Sequence, residues 1–262
     1  MKNHKIHIIK VGGNIIDDQL KLSAFLTSFA VFPGKKILVH GGGKLATKLA
    51  TDLNIPQQMV DGRRITDADT LKIVTMVYAG YINKNIVAFL QAKNCAAIGL
   101  CGADANIIRA HKRQHPTIDY GFVGDVDSID TKMLSVFLES GLNIVLAPLT
   151  HDGHGQLLNT NADTIAQEIA KALAEEYTVN LVYCFEKAGV LMDAEDEQTL
   201  IPIINPSLFE KLKSEKKIFA GMIPKLENAF KALESGVNKV VIGKAEAWED
   251  LMAGRSGTTI EL

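Results

Sequence analysis

Cysteine is scarce in this chain: only Cys95, Cys101 and Cys184 occur among 262 residues, and no two of them form a C-x-x-C pair. That spacing excludes a disulfide framework and a zinc knuckle, and it fits a reducing compartment. A dominant charge is missing too, since 28 Lys and Arg stand against 30 Asp and Glu, a formal net charge of -2. Without a basic field, nonspecific nucleic-acid binding is excluded and small molecules are the expected partners. No apolar run approaches the roughly 18 residues of a membrane span. Lys2, His4, Lys5 and Lys10 interrupt the stretch where a secretory apolar segment would stand. These absences predict a soluble, cytoplasmic protein that engages neither membrane nor nucleic acid.

What is present is enough apolar material for a sizeable core, with 47% hydrophobic and 22% charged residues. The opening run Ile6 to Val11 reads as a buried strand. A helical stripe follows at Leu20, Phe25, Leu26 and Phe29, Pro33-Gly34 stops it, and Ile37-Leu38-Val39 begins a second strand. This βαβ pattern predicts an α/β fold with a parallel sheet. A long helix is expected from Ala68 to about Lys93, then a strand from Ala96 to Cys101 and a β-hairpin over Asn106 to His111 and Phe122 to Val126. Further strands are expected at Asn143 to Ala147, Val179 to Cys184 and Lys239 to Ile242, with Thr258 to Ile260 as a last edge strand.

Several turns carry more than a turn requires. Lys10 precedes Gly12-Gly13 at the end of the first strand, where backbone amides can approach an anion closely. The second strand runs into His40-Gly41-Gly42-Gly43-Lys44 and then a helix. Three glycines before a helix N-terminus allow successive N–H groups to face one phosphate, although a tight turn alone is the plainer reading. Neither the P-loop nor the dinucleotide-binding pattern matches here. The turn at Asp61-Gly62-Arg63-Arg64 offers an arginine fork. Asn161 reads as a helix N-cap with Asp163 in the first turn, which capping and dipole compensation also explain. Two histidines in His151-Asp152-Gly153-His154 read as a solvated glycine turn. Lys225, in the first turn of the helix that begins near Gly221, opposes the helix dipole, so stability alone does not account for it.

Lys10-x-Gly-Gly, His40-Gly-Gly-Gly, Asp61-Gly-x-Arg64, Asn159-x-Asn161-Ala-Asp163 and Gly221-Met-x-x-Lys225 stand in order along the whole chain. Together they resemble the amino-acid kinase family, most closely its members that act on N-acylated glutamate in arginine biosynthesis. The resemblance implies a three-layer αβα sandwich around an open, mainly parallel sheet of about eight strands. A single domain, 1–262, is implied, with a lobe at about 1–175 for the acylated amino acid and one at about 176–262 for ATP. The implied reaction moves the ATP γ-phosphoryl group to the side-chain carboxylate of an N-acyl-L-glutamate, with N-acetyl-L-glutamate foremost. Lys10 then stabilises the phosphoryl group, Lys225 neutralises charge on the ATP side, and Asp163 orients both lysines. Gly13 and Gly42 contact the moving phosphoryl, while Gly12, Gly41 and Gly43 shape the loops. Arg64 grips the substrate carboxylate with Asn159 and Asn161 beside it, and Mg2+ accompanies ATP on phosphate oxygens and water.

Departures from the family pattern are also visible. Phe185-Glu186-Lys187 stands where the family usually places an aspartate, and Gly257-Thr258-Thr259-Ile260 carries threonine where a basic residue is common. Only about five residues precede the first strand, so the resemblance implies a homodimer insensitive to arginine. An N-succinyl-L-glutamate substrate, with Lys112 or Arg113 meeting its extra carboxylate, a uridylate kinase, and a catalytically silent amino-acid sensor are the competing readings.

Overall fold

The structure is a computed structural model that describes residues 4–60, 63–193, 195–215, 217–218 and 222–262. Asp61 and Gly62 of the arginine turn, and Gly221 of the Lys225 helix start, lie outside the described residues. The order is β1 (Lys5–Val11), α1 (Gly13–Ile16), α2 (Gln19–Val31), β2 (Lys35–His40), α3 (Gly43–Asp52), β3 (Met59–Val60) and β4 (Arg63–Arg64). One long helix follows, made of α4 (Ala68–Thr75), a π-helical stretch (Met76–Ile82) and α5 (Asn83–Ala92). Then come β5 (Ala97–Leu100), β6 (Ile108–Lys112), β7 (Gly124–Ile129), α6 (Thr131–Glu139), β8 (Asn143–Leu146), β9 (Leu149–His151), β10 (Leu157–Asn159) and α7 (Ala162–Leu173). The chain closes with β11 (Thr178–Phe185), β12 (Ile203–Ile204), α8 (Pro206–Ser214), α9 (Ile223–Glu234), β13 (Lys239–Lys244), α10 (Trp248–Ala253) and β14 (Thr258–Ile260).

The principal sheet has eight strands in the order β12-β14-β13-β11-β1-β2-β8-β5. Within it β13 and β14 run antiparallel, while β1–β11, β11–β13, β2–β8, β5–β8 and β12–β14 are parallel. The α/β class and the mainly parallel sheet are as the alternation implied. One detail differs: β14 is not the edge strand, because the two-residue β12 pairs outside it. So short a strand gives no apolar periodicity to read.

By compactness the chain divides into two units, Met1–Lys36 with Ala166–Leu262, and Ile37–Ile165. In the first unit the inner strands are buried on both faces, so β1 and β11 read as continuous apolar runs rather than alternating ones. Beneath them Trp248 is fully buried among Phe25, Phe29 and Phe32, with ring centroids 4.5 to 6.2 Å away. Its Nε1–H donates to Ser28 Oγ at 2.8 Å, which removes the cost of burying an indole N–H. In the second unit β2, β8 and β5 pack with the long helix, and a four-stranded sheet, β10-β9-β6-β7, holds the expected hairpin. By length and composition the 25-residue helix Ala68–Ala92 could reach across a membrane. Its buried residues, including Val74, Val77, Ile82, Ile86 and Leu90, lie inside the unit.

His7 is buried on β1 with its ring edge-on to Phe32 at 5.3 Å, and among the described residues its Nδ1 has no hydrogen-bond partner. Burial, assisted by the charges of Lys5 and Lys36, lowers its pKa from 6.5 to about 4. The unfolded chain therefore binds more protons than the folded one in that window. The stabilising share is complete above pH 6.5 and is lost as pH falls toward 4. Urea denaturation across this range should show a drop on the order of 3 kcal/mol from this residue. His7→Phe should flatten that part of the slope, and an unchanged slope would contradict it.

Candidate active site

The glycine loop after β2 is built on one peptide that only glycine allows. Gly42 has φ +152° and ψ 14°, and a Cβ there would stand 3.0 Å from Tyr78 Cδ1 and closer still to Ile82 Cδ1. Both neighbours come from the π-helical stretch, a local widening often found at functional positions. Directly before the loop, His40 is fully buried, its Nδ1 lying 2.8 Å from the Gly41 carbonyl and its Nε2 3.3 Å from Asn83 Nδ2. Burial lowers the His40 pKa to about 4; the Gly41 bond pulls it the other way and the Lys84 charge reinforces the lowering. The imidazole is therefore neutral.

Arg64 is buried, only 8% exposed, and its guanidinium ties β4 to this loop. Nη2 donates to the Gly43 carbonyl at 2.9 Å and to Thr47 Oγ1 at 2.8 Å, and Nη1 donates to Gln57 Oε1. Tyr78 stands close enough for the Arg64 charge to draw its hydroxyl pKa down, though burial dominates and raises it. Asn159 joins the same group: its Nδ2 donates to Thr66 Oγ1 at 3.0 Å, and that hydroxyl donates to the Arg64 carbonyl at 3.1 Å. The hairpin is part of the support. Phe122 N–H donates to Thr66 O at 2.6 Å, Asn159 N–H to Phe122 O at 2.8 Å, and Gly121 at φ +69° leaves no room for a Cβ against Thr66 O. Thus Gly43, Arg64, Thr66 and Asn159 form one connected cluster.

Asn161 caps α7 as its sequence suggested, its Oδ1 accepting from the Asp163 and Thr164 N–H groups at 2.8 and 3.1 Å. Asp163 is the half-buried acid of that first turn. His151 Nδ1 and Asp152 Oδ1 accept from backbone N–H groups of their own turn, as a glycine turn requires.

In the other unit, half-buried Lys10 stands opposite Tyr183 of β11 in the register of the sheet. Gly12 N–H donates to Cys184 O at 2.9 Å, and a Cβ on Gly12 would lie 3.4 Å from that oxygen. Burial pushes the Cys184 thiol up to about 12, against a smaller opposing effect of Lys10, so it is no nucleophile. Asn14 Nδ2 donates to Glu186 Oε1 at 2.8 Å. Glu186, one of the residues that depart from the family pattern, therefore braces the glycine turn. Lys225 lies in the first turn of α9, whose N-cap, Met222, makes no side-chain cap.

The helix starts sort into two kinds. Asp18, Asp67, Asp130, Asn161 and Asn205 cap α2, α4, α6, α7 and α8 with their own side chains. The starts of α1, α3 and α9 have no side-chain cap and no acid in the first turn, and each stands in one of the motifs; the α7 start stands in a motif as well but is capped by Asn161, and α10, uncapped, carries Glu249 and Asp250 in its first turn. An uncapped N-terminus leaves N–H groups and a partial positive charge for an anion.

A mainly parallel α/β sheet with glycine turns at the C-terminal ends of β1 and β2 is the class of architecture on which phosphate-handling enzymes are built. Residues 5–244 match the model of the amino acid kinase family, and the chain belongs to that family. It is 58% identical over 249 residues to the acetylglutamate kinase of Cytophaga hutchinsonii, covering 95% of this chain and 94% of that protein. To the acetylglutamate kinase of Bacteroides fragilis it is 56% identical over 243 residues, 93% of each chain. The solved structure of smu.665 from Streptococcus mutans superposes with a TM-score of 0.78 at 28% identity, over 99% of both chains.

Sequence reasoning missed Thr258, which is buried and central. Its Oγ1 donates to Ile201 O at 2.6 Å and accepts from Val190 N–H at 2.8 Å. A threonine where a basic residue is common thus has a structural task here. Thr258→Val should cost about 1–3 kcal/mol, because it leaves a buried N–H and carbonyl unpaired. Thr258→Arg should cost more, in urea titrations of both variants. A stability equal to that of the parent chain in either would contradict the assignment.

Proposed function

We propose that this chain is an ATP-dependent kinase of the side-chain carboxylate of N-acetyl-L-glutamate, which yields an acyl phosphate in arginine biosynthesis. The observation that carries it is the likeness to acetylglutamate kinases over nearly the whole chain, with all five motifs kept in order. The uridylate kinase, succinylglutamate and silent-sensor readings have no such support.

The chemical problem is to bring an anionic carboxylate to an anionic phosphate. The nucleophile is already ionised near pH 7, so no general base is needed, and catalysis rests on positioning and positive charge. Arg64 grips the substrate α-carboxylate, with Asn159 and Asn161 as its neighbours at the acyl-amino-acid site. The Gly42 N–H, shaped by Gly41 and Gly43, donates to the transferring phosphoryl. Lys10 stabilises that phosphoryl together with the Gly13 N–H, in a turn shaped by Gly12. Lys225 neutralises charge on the nucleotide side. Asp163 acts as a fixed acid toward cationic side chains rather than as a base. In this reading, residues up to about 175 serve the amino acid and the later ones the nucleotide. Among the described residues no three His, Cys, Asp or Glu side chains gather into a metal site. Magnesium would enter with ATP, held mainly by phosphate oxygens and water, and would supply electrostatic stabilisation to the phosphates. A cytoplasmic homodimer is the working form.

Hydroxylamine trapping should detect acyl phosphate with ATP and N-acetyl-L-glutamate, and weaker or no signal with N-succinyl-L-glutamate, glutamate or UMP. Absence of ADP release with acetylglutamate would sink the reading. Lys10→Ala should lower kcat by about 100-fold or more with little change in KM, whereas Arg64→Ala should chiefly raise the KM for acetylglutamate. Equal effects of the two on KM would mean that the roles are misassigned.

A further inference from the structure

We propose that His40 and Asn83 are positioning residues for phosphoryl transfer: they hold the Gly41 carbonyl so that the Gly42 N–H faces the transferring group. The inference rests on the reading above of the glycine loop as a phosphoryl contact.

The Gly41 carbonyl and the Gly42 N–H belong to one planar trans peptide, so they point in opposite directions. Whatever fixes the carbonyl also aims the N–H. His40 Nδ1 is 2.8 Å from that carbonyl. An oxygen of this kind can only accept, so Nδ1 carries the proton and, in the neutral ring, Nε2 is the acceptor. Asn83 enforces this assignment. Its Nδ2 lies 3.3 Å from His40 Nε2 and donates to Val145 O at 2.9 Å, while its Oδ1 accepts from Lys84 Nζ at 3.1 Å. A flipped amide would set Oδ1 against the Val145 carbonyl. Lys84 Nζ in turn donates to Gly99 O at 2.7 Å, and Gly99 has no space for a Cβ beside Asn83 Oδ1. Strands β2, β8 and β5 thus all contribute to the direction of one imidazole.

Stability does not require this arrangement. His40 and Asn83 are buried at 0% and 1% exposure, and apolar side chains of similar shape would fill the space without a polar network to satisfy. Glycines flank the peptide on both sides, so nothing in the loop itself resists its rotation. Tyr78 and Ile82 fill the space where a Cβ on Gly42 would stand. The imidazole contact on the Gly41 carbonyl and this packing on Gly42 are two separate restraints on the same peptide.

The test is His40→Phe, which keeps the ring and removes both hydrogen bonds, beside His40→Asn, whose Nδ2 can stand where Nδ1 stood. For folded His40→Phe, kcat should fall about 10- to 100-fold, with KM for acetylglutamate and ATP changed less than about threefold. His40→Asn should recover most of that loss. A purely structural role would instead lower stability and leave kcat per folded molecule unchanged, which would overturn the proposal, as would His40→Asn no better than His40→Phe. A measurement on the parent chain is independent of whether the variants fold. Its imidazole 15N spectrum should show the Nδ1–H tautomer of His40, without titration between about pH 5 and 8. An Nε2–H tautomer would also overturn the proposal. A parent chain with no acyl-phosphate activity would sink the functional reading itself; an active parent with an unaffected His40→Phe variant sinks only this inference.

Discussion

Gly42 is a position that only glycine can fill, and much of the second unit is arranged around that constraint. Its φ of +152° and the pressure of Tyr78 and Ile82 leave glycine as the one residue that fits. The consequences spread outward. The π-helical stretch exists where those two side chains must meet the loop. Arg64 is anchored to the next residue, Gly43. Gly121 lets the hairpin close against Thr66, which carries Asn159. Loop, arginine and asparagine therefore form a single hydrogen-bonded body rather than three separate contacts.

The first unit meets the same requirement with different means. There the turn after Lys10 is not pressed from outside but stitched: Gly12 N–H to Cys184 O on the backbone, and Asn14 to Glu186 through side chains. Both stitches end on the C-terminal end of β11 or the residue after it, the end of a parallel strand where ligands of open α/β sheets are bound. Lys10 is thereby held on a strand buried at nearly every other position. Its charge is aimed by the sheet, and no loop rearrangement is needed to present it.

Much of this was legible in the residues themselves. The strands β1, β2, β8, β11 and β13 are buried on both faces and so read as mainly apolar runs rather than alternating ones. Gly42, Arg64, Asn159 and Lys225 stand in motifs whose chemistry is visible without coordinates. The support was not legible. A π-helical turn has the same composition as the α-helix around it, and Asn83 reads as a surface residue in a helix until Gly99 and Val145 are placed beside it. Thr258 looked like a lost cation because its partners, Val190 and Ile201, are 57 or more positions away. Around β12 the residues suggested a hairpin strand over Leu200 to Ile203, which the structure keeps only as a Leu191–Leu200 bridge followed by Ile203–Ile204 paired with β14. Each of these features depends on pairings distant in sequence, and single-chain periodicity has no access to them.

The uncapped helix starts put a scale on what such a design costs. Glycine at an N-cap is only a few tenths of a kcal/mol worse than serine or aspartate, so Gly12 and Gly42 give up little. Met222 gives up about 1 kcal/mol, and Lys225 in the first turn adds a few tenths. The sum, about 1–2 kcal/mol, is small beside a typical stability of about 5–15 kcal/mol. It is also of a size that binding can return: a ligand at about 100 times its Kd stabilises the folded state by about 2.7 kcal/mol. If the proposed phosphate contacts form at these N-termini, substrate binding offsets the cost of leaving them open.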